Sequence, residues 1–176
     1  MWRIDATLRE LLRWDQAVCV LLNRGMRHVT LLRAFQALSW LGNGIFWYAL
    51  MLGLLVRHSG DALLPVLHIA FVGAVCTAAY KMLKRGTLRP RPYQAMRSIA
   101  AGAPVLDAFS FPSGHTLHAV AFTLVACFHY PGLAMLLVPF TLLTAASRVV
   151  LGLHYPSDVL AGAAIGAAIA AASFGI

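Results

Sequence analysis

Four stretches of the chain carry no Asp, Glu, Lys or Arg: Ala34–Val56, Ala62–Tyr80, Ala108–Ser147 and Val159–Ile176, of 23, 19, 40 and 18 residues. A helix needs about 20 mostly apolar residues to cross the hydrocarbon of a bilayer. The longest stretch is broken by Tyr130-Pro131-Gly132 and so holds two crossings. Five transmembrane helices are therefore expected, over about 34–56, 62–83, 113–130, 133–151 and 157–175. Backbone groups in lipid must pair within their own segment, which leaves helices as the open-ended solution. The fold class that follows is all-α, an integral membrane helical bundle.

Composition excludes the alternatives. Of 176 residues, 60% are hydrophobic and 11% charged, against roughly 45–50% apolar and 25% charged in a soluble protein. A soluble fold this small has no interior large enough for that much apolar surface. Disorder needs low hydrophobicity and is excluded on the same ground. Cys19, Cys76 and Cys127 are odd in number and lie in apolar contexts, so they read as reduced packing residues. The net charge of +8 in a soluble chain would suggest nucleic acid. Here no aromatic-interleaved basic surface accompanies it, so no nucleic-acid partner is expected. The partners it suits are membrane phosphates and a phosphate-bearing substrate.

Residues 4–23 differ from the spans. Ile4, Leu8, Leu11, Val18 and Leu22 fall at helical spacing, with Arg3, Arg9, Glu10, Arg13 and Gln16 elsewhere on the surface. This predicts an amphipathic helix lying on the membrane or packed against the bundle. The chain divides accordingly into an N-terminal interfacial segment, 1–33, and a transmembrane domain, 34–176. In the last span, Gly162 and Gly166 form a small-xxx-small face for close helix packing. Packing within the chain is the expected use; a dimer is the alternative.

Two polar interruptions, Lys81–Asp107 and Arg148–Asp158, fall on the same membrane face when five spans are counted. The first contains Lys84-Arg85-Gly86-Thr87-Leu88-Arg89-Pro90-Arg91-Pro92. Arg presents a planar fork that grips two phosphoryl oxygens, and Pro90 and Pro92 stiffen the backbone around Arg91. Next comes Phe111-Pro112-Ser113-Gly114-His115-Thr116, with Ser113 placed as helix N-cap. Free amides at a helix N-terminus attract phosphate, and Gly114 permits close approach. The last is Ser147-Arg148 through His154 to Asp158. There a carboxylate on one nitrogen of His154 fixes the tautomer and exposes the other as a lone pair. His118 forms a His-x-x-His pair with His115, but no third ligand has suitable spacing. No metal and no cofactor are expected. Asp107 and Tyr155 border the site and are candidates for substrate contact.

Taken together these segments resemble the type-2 phosphatidic acid phosphatase superfamily. Its pattern is Lys-x6-Arg-Pro, Pro-Ser-Gly-His, then Ser-Arg-x5-His-x3-Asp. Here Lys84 to Arg91-Pro92, Pro112-Ser113-Gly114-His115 and Ser147-Arg148 to His154 and Asp158 fill every position, over residues 84–158. The resemblance implies His154 as nucleophile, Asp158 as its orienter and His115 as the acid that protonates the departing oxygen. It implies a phosphate cradle of Lys84, Arg91, Arg148, Ser113 and Gly114, working without a metal.

The function expected is hydrolysis of a lipid phosphate or pyrophosphate, with phosphatidic acid, phosphatidylglycerophosphate and polyprenyl pyrophosphate as candidates. A lipid-to-lipid phosphotransferase would use the same residues. A non-enzymatic bundle that binds anionic lipid is the other class. The membrane implied is the bacterial inner membrane. For the face that holds the site two arguments oppose each other. The excess of Arg and Lys on that side favours the cytoplasm, whereas the resemblance implies the periplasm.

Overall fold

The computed structural model describes residues 6–105 and 107–175. The elements in order are α1 (Ala6–Asn23), α2 (Val29–Trp40), α3 (Phe46–His58), α4 (Leu63–Thr87), the single turn α5 (Pro92–Ala95), α6 (Gly114–His129), α7 (Ala134–Val150) and α8 (Pro156–Ser173). Among the described residues there is no strand. Three helical runs are long and apolar enough to cross a membrane: Val29–Ala95, which doubles back at Ser59–Ala62, Pro131–Val150 and Pro156–Ser173.

α6 is the hub and packs against α4, α7 and α8. Its 16 residues reach only about 24 Å, less than the expected 113–130 crossing. Leu117, Ala121 and Val125 on α6 are fully buried among Ile69, Val72 and Cys76 of α4, Leu137 of α7 and Ala170 of α8. α8 meets α6 through Gly162, where an added Cβ would lie 2.6 Å from the Ser113 carbonyl oxygen. The small-residue face is thus spent inside the chain, and it fixes the start of α8 against the start of α6. The outer surface is apolar: Val56 is 78%, Leu64 77% and Met135 91% exposed, as the hydrocarbon of a bilayer demands.

Two crossings differ in detail from their expected bounds. The first, expected over about 34–56, runs from Val29 to His58 and is kinked. The rod breaks at Asn43-Gly44 before resuming as α3. The helix of the second crossing continues past 83 to Thr87, which places Lys84 on a helix rather than in a loop.

The N-terminal helix packs against the bundle through a polar stripe rather than through its apolar residues. Arg3 and Ile4 lie outside the described residues, and of Leu8 only the backbone is described. On the remainder, Leu11 and Leu22 are 44% and 40% exposed. The face that is buried carries Asp15, Cys19 and Asn23, four residues apart, against α7 and α8. The far end of the bundle holds a second polar tie. His68 Nδ1 lies 3.0 Å from His129 Nε2, and His68 Nε2 lies 2.8 Å from Ser173 Oγ, linking α4, α6 and α8.

Candidate active site

The C-terminal ends of α4 and α7 and the N-terminal ends of α6 and α8 converge at one end of the bundle. Lys84, in the last turn of α4, is buried. Leu88 then turns the chain through the left-handed region at φ 47°. Pro90 and Pro92 carry it past Arg91 into α5, where Gln94 Oε1 accepts the Arg91 amide at 2.9 Å. The Arg91 side chain is 2% exposed. Its Nε donates to the Asp107 carbonyl at 3.1 Å, and its Nη1 donates to the Leu153 carbonyl at 2.7 Å. Proline-stiffened backbone and these bonds hold the guanidinium in one place.

The catalytic-loop candidate, Leu151–Tyr155, leaves α7 by a turn at Gly152. Its φ is +70°, and a Cβ there would lie 2.6 Å from the Ala100 carbonyl oxygen, so only glycine fits. The His154 amide donates to the Arg148 carbonyl at 3.1 Å. His154 is 1% exposed, and its Nε2 lies 3.2 Å from Arg91 Nη1. A guanidinium can only donate, so Nε2 is an acceptor and bears the lone pair. Burial first, then the charges of Arg148, Arg91 and Lys84, hold the His154 imidazole well below its ordinary pKa. The ring is therefore neutral with its proton on Nδ1.

That Nδ1 has no hydrogen-bond partner. The expected bond to Asp158 is not closed: Asp158 Oδ2 stands 3.6 Å away. The reason is local. Asp158 occupies the third position of α8, and its Oδ2 accepts the Tyr155 amide at 2.9 Å as a helix cap. Oδ1 is taken by Arg89 Nη1 at 2.6 Å.

Arg148 is 3% exposed. Its Nη1 donates to Ser39 Oγ at 2.5 Å, its Nε has no partner, and no carboxylate pairs with it among the described residues. Ser113 stands at the N-cap of α6, but its hydroxyl meets Thr116 Oγ1 at 3.0 Å rather than a backbone amide. The Ser113 amide donates to the Asp158 carbonyl at 3.1 Å, which ties the two helix starts together.

A cavity of about 430 Å³ runs between these groups. Its polar end is lined by Lys84, Arg91, Asp107, Gly114, His115, Arg148 and His154, and its apolar end by Trp47, Met51, Ala70, Gly73 and Phe122. Of the residues picked out from the sequence, Ser113 and Asp158 stand immediately behind this lining. Tyr155 is turned away; its ring packs under the Arg89 guanidinium at 4.0 Å. His118 lines the cavity but bonds to Thr77 Oγ1 at 3.0 Å and the Gly114 carbonyl at 2.8 Å. No cluster of three His, Cys, Asp or Glu groups suited to a metal occurs among the described residues.

Asp107 carries more than its border position suggested. Its Oδ1 accepts from Lys84 Nζ at 2.5 Å and from Arg91 Nη2 at 2.6 Å. Burial raises the pKa of its carboxyl, but Lys84 and Arg91 more than offset this and hold it below the ordinary range. The cavity thus has three buried cations and one carboxylate, leaving two positive charges in excess. Uncompensated buried charge is costly, and a dianion matches it.

Residues 62–176 match the PAP2 superfamily. The chain belongs to this superfamily. This PAP2 protein is similar to the transmembrane PAP2-type phosphatidylglycerolphosphate phosphatase of Bacillus subtilis. The two superpose with a TM-score of 0.74 at 25% identity, over 94% of this chain and 85% of that one. LpxE of Aquifex aeolicus superposes at 0.79 and 25% identity, over 91% and 94%. Among curated relatives, a decaprenylphosphoryl-5-phosphoribose phosphatase of Mycolicibacterium smegmatis is 38% identical over 87 residues, 48% of this chain and 45% of that protein. The undecaprenyl-diphosphatase BcrC of Bacillus subtilis is 41% identical over 71 residues, 40% of this chain and 36% of that protein. The matched stretches thus span less than half the length of either curated relative.

Sequence reasoning gave no role to Asp15, Asn23 or Ser39, counted Cys19 only as a packing residue and counted Arg89 only as loop charge. The four-residue spacing of Asp15, Cys19 and Asn23 was the available signal, since three polar or small groups on one helical stripe suit a buried polar docking face.

Proposed function

We propose that this PAP2 protein is a bacterial membrane phosphatase that hydrolyses a lipid phosphate or lipid pyrophosphate through a phosphohistidine. The observation that carries the reading is Arg148. It is a buried guanidinium with an unpartnered Nε, on a cavity whose two other cations share one carboxylate and whose wall presents the His154 lone pair. The apolar end of the same cavity suits a lipid chain rather than a soluble sugar phosphate, and the named phosphatases among its relatives support the class.

In this mechanism the phosphoryl oxygens lie against Lys84, Arg91, Arg148 and the first amides of α6, beside Ser113 and Gly114. His154 Nε2 attacks phosphorus, and the bond from phosphorus to the leaving oxygen breaks. His115, protonated alongside the bound phosphate dianion, gives that oxygen its proton and is left neutral. Asp158 faces Nδ1–H and stabilises the cationic ring that forms. A water then attacks phosphorus, His115 takes its proton, and the N–P bond breaks to release phosphate. The three cations supply the charge stabilisation on which phosphoryl transfer depends, so the reaction runs without a divalent ion.

The test is phosphate release by the purified protein in detergent from a panel of phosphatidic acid, phosphatidylglycerophosphate and polyprenyl pyrophosphate, with and without EDTA. Release from at least one lipid, unchanged by EDTA and inhibited by vanadate, is expected. Binding of every lipid with no phosphate release would overturn the reading, and loss in EDTA restored by a divalent ion would overturn the metal-free route.

A further inference from the structure

α1 lies outside the segment that matches the superfamily, which begins at residue 62, yet it packs against the groups that stand behind the cavity wall. Asp15, in the middle of α1, is fully buried. A buried carboxylate is expensive unless every oxygen is satisfied, and here both are. Oδ1 accepts the Ser157 amide at 2.9 Å, and Oδ2 accepts from Arg89 Nη2 at 2.7 Å and from the Ser157 hydroxyl. Arg89 donates through its other terminal nitrogen to Asp158 Oδ1 at 2.6 Å. One guanidinium therefore bridges two buried carboxylates, one on α1 and one on α8.

This arrangement has a consequence for His154. An Arg paired with Asp158 alone would cancel its charge and take it in a two-pronged grip. Shared with Asp15, Arg89 engages one oxygen of Asp158 only. The other oxygen, Oδ2, accepts the Tyr155 amide and stands 3.6 Å from His154 Nδ1, with net negative charge left in the group of three. Two further residues of the same stripe hold the same loop. The Cys19 thiol donates to the His154 carbonyl at 3.7 Å, and Asn23 Nδ2 donates to the Val150 carbonyl at 3.0 Å.

We infer that α1 is part of the catalytic apparatus, and that Asp15 is a positioning residue which acts through Arg89 and Ser157 to aim Asp158 at His154. The inference rests on the reading of His154 as nucleophile and Asp158 as its orienter. It assigns a role in turnover to a helix that the family pattern does not include.

The experiment is a double-mutant cycle on the full chain in detergent: wild type, Asp15→Asn, Asp158→Asn and the double variant, assayed for kcat and KM on a lipid phosphate. Asp15→Asn should lower kcat by roughly ten- to a hundred-fold, the range for coupled neighbours, with KM and vanadate inhibition within about two-fold of wild type. In the Asp158→Asn background the same change should cost less than about two-fold, because its effect passes through Asp158. A merely structural Asp15 would lower the amount of folded protein and leave kcat per folded molecule unchanged. An unchanged kcat, or losses that multiply in the double variant, would overturn the inference. If Asp15→Asn does not fold, Arg89→Lys takes its place: it keeps the charge but loses the fork that spans two carboxylates. The same fall in kcat and the same lack of additivity with Asp158→Asn are expected, and wild-type kcat would overturn the inference. Turnover by His154→Ala would instead sink the nucleophile assignment, so the two failures are distinguishable.

Discussion

Arg91 aims one guanidinium nitrogen at Nε2 of His154, 3.2 Å away, while two other nitrogens of the same group bind Asp107. One planar side chain thus touches both the nucleophile candidate and the carboxylate that shares the cradle. Lysine has the charge but not the fork. Arg91→Lys should lower kcat/KM by about a hundred-fold or more, the scale seen when one preorganised charge contact is removed. Steady-state kinetics on a lipid phosphate check this, and a rate within a few-fold of wild type would reduce Arg91 to a loop brace.

The same contact predicts the protonation state of His154. Burial and three neighbouring cations depress its pKa, so acidification protonates it only well below the ordinary value of about 6.5. Nitrogen NMR of histidine-labelled protein, with His154 assigned by difference against His154→Ala, should show one neutral tautomer with the proton on Nδ1 at about pH 6. Both nitrogens protonated at that pH would contradict the geometry.

Asp107 is the resident anion of the cradle, held by Lys84 and Arg91. An incoming phosphoryl group competes with it for the same donors. Asp107→Asn should therefore strengthen vanadate inhibition, by about ten-fold on the scale of one charge-assisted hydrogen bond. Weaker inhibition would mean that Asp107 serves to hold Arg91 in place. The pH dependence has a definite sign. The carboxyl of Asp107 is depressed in the folded protein, so its ion pairs contribute stability above the unfolded carboxyl pKa. That stability is lost as pH falls through the lower folded value. Acid melting curves of wild type should therefore converge on those of Asp107→Asn at low pH.

Arg148 separates stability from function. It is buried, donates to Ser39 and has no ion-pair partner among the described residues. Burying a charge without an ion-pair partner costs desolvation free energy, and an apolar side chain of similar volume removes that cost. Arg148→Met should raise the melting temperature in detergent and abolish phosphate release. A variant that melts lower would show that the guanidinium supports the fold.

The bundle was legible because the hydrocarbon thickness of a bilayer imposes a length on every apolar run, and charge-free runs of that length stand out. The grouping of the candidate site residues was legible for a different reason. Lys84, Arg91, His115, Arg148, His154 and Asp158 sit in short segments whose spacing is set by helix ends, and the helices bring those ends together. Asp15 was not legible because its partners, Arg89 and Ser157, are 74 and 142 residues away. A lone acidic residue on an amphipathic helix reads as a solvated charge until the packing is seen. The kink at Asn43-Gly44 was hidden too, since an uninterrupted apolar run says nothing of a bend within it. The open His154–Asp158 distance depends on the Tyr155 amide competing for Asp158, a local contest that spacing alone does not reveal.

The direct measurement is the trapping of phosphate on His154. The purified protein would be mixed with a lipid phosphate labelled at the terminal phosphorus and quenched within milliseconds under alkaline denaturing conditions, which preserve an N–P bond. Peptide mapping would then locate the label. Label on the peptide bearing His154 in wild type, more of it in His115→Ala with a good leaving group, and none in His154→Ala is the predicted result. Full turnover by His154→Ala, or label on another residue, would contradict it.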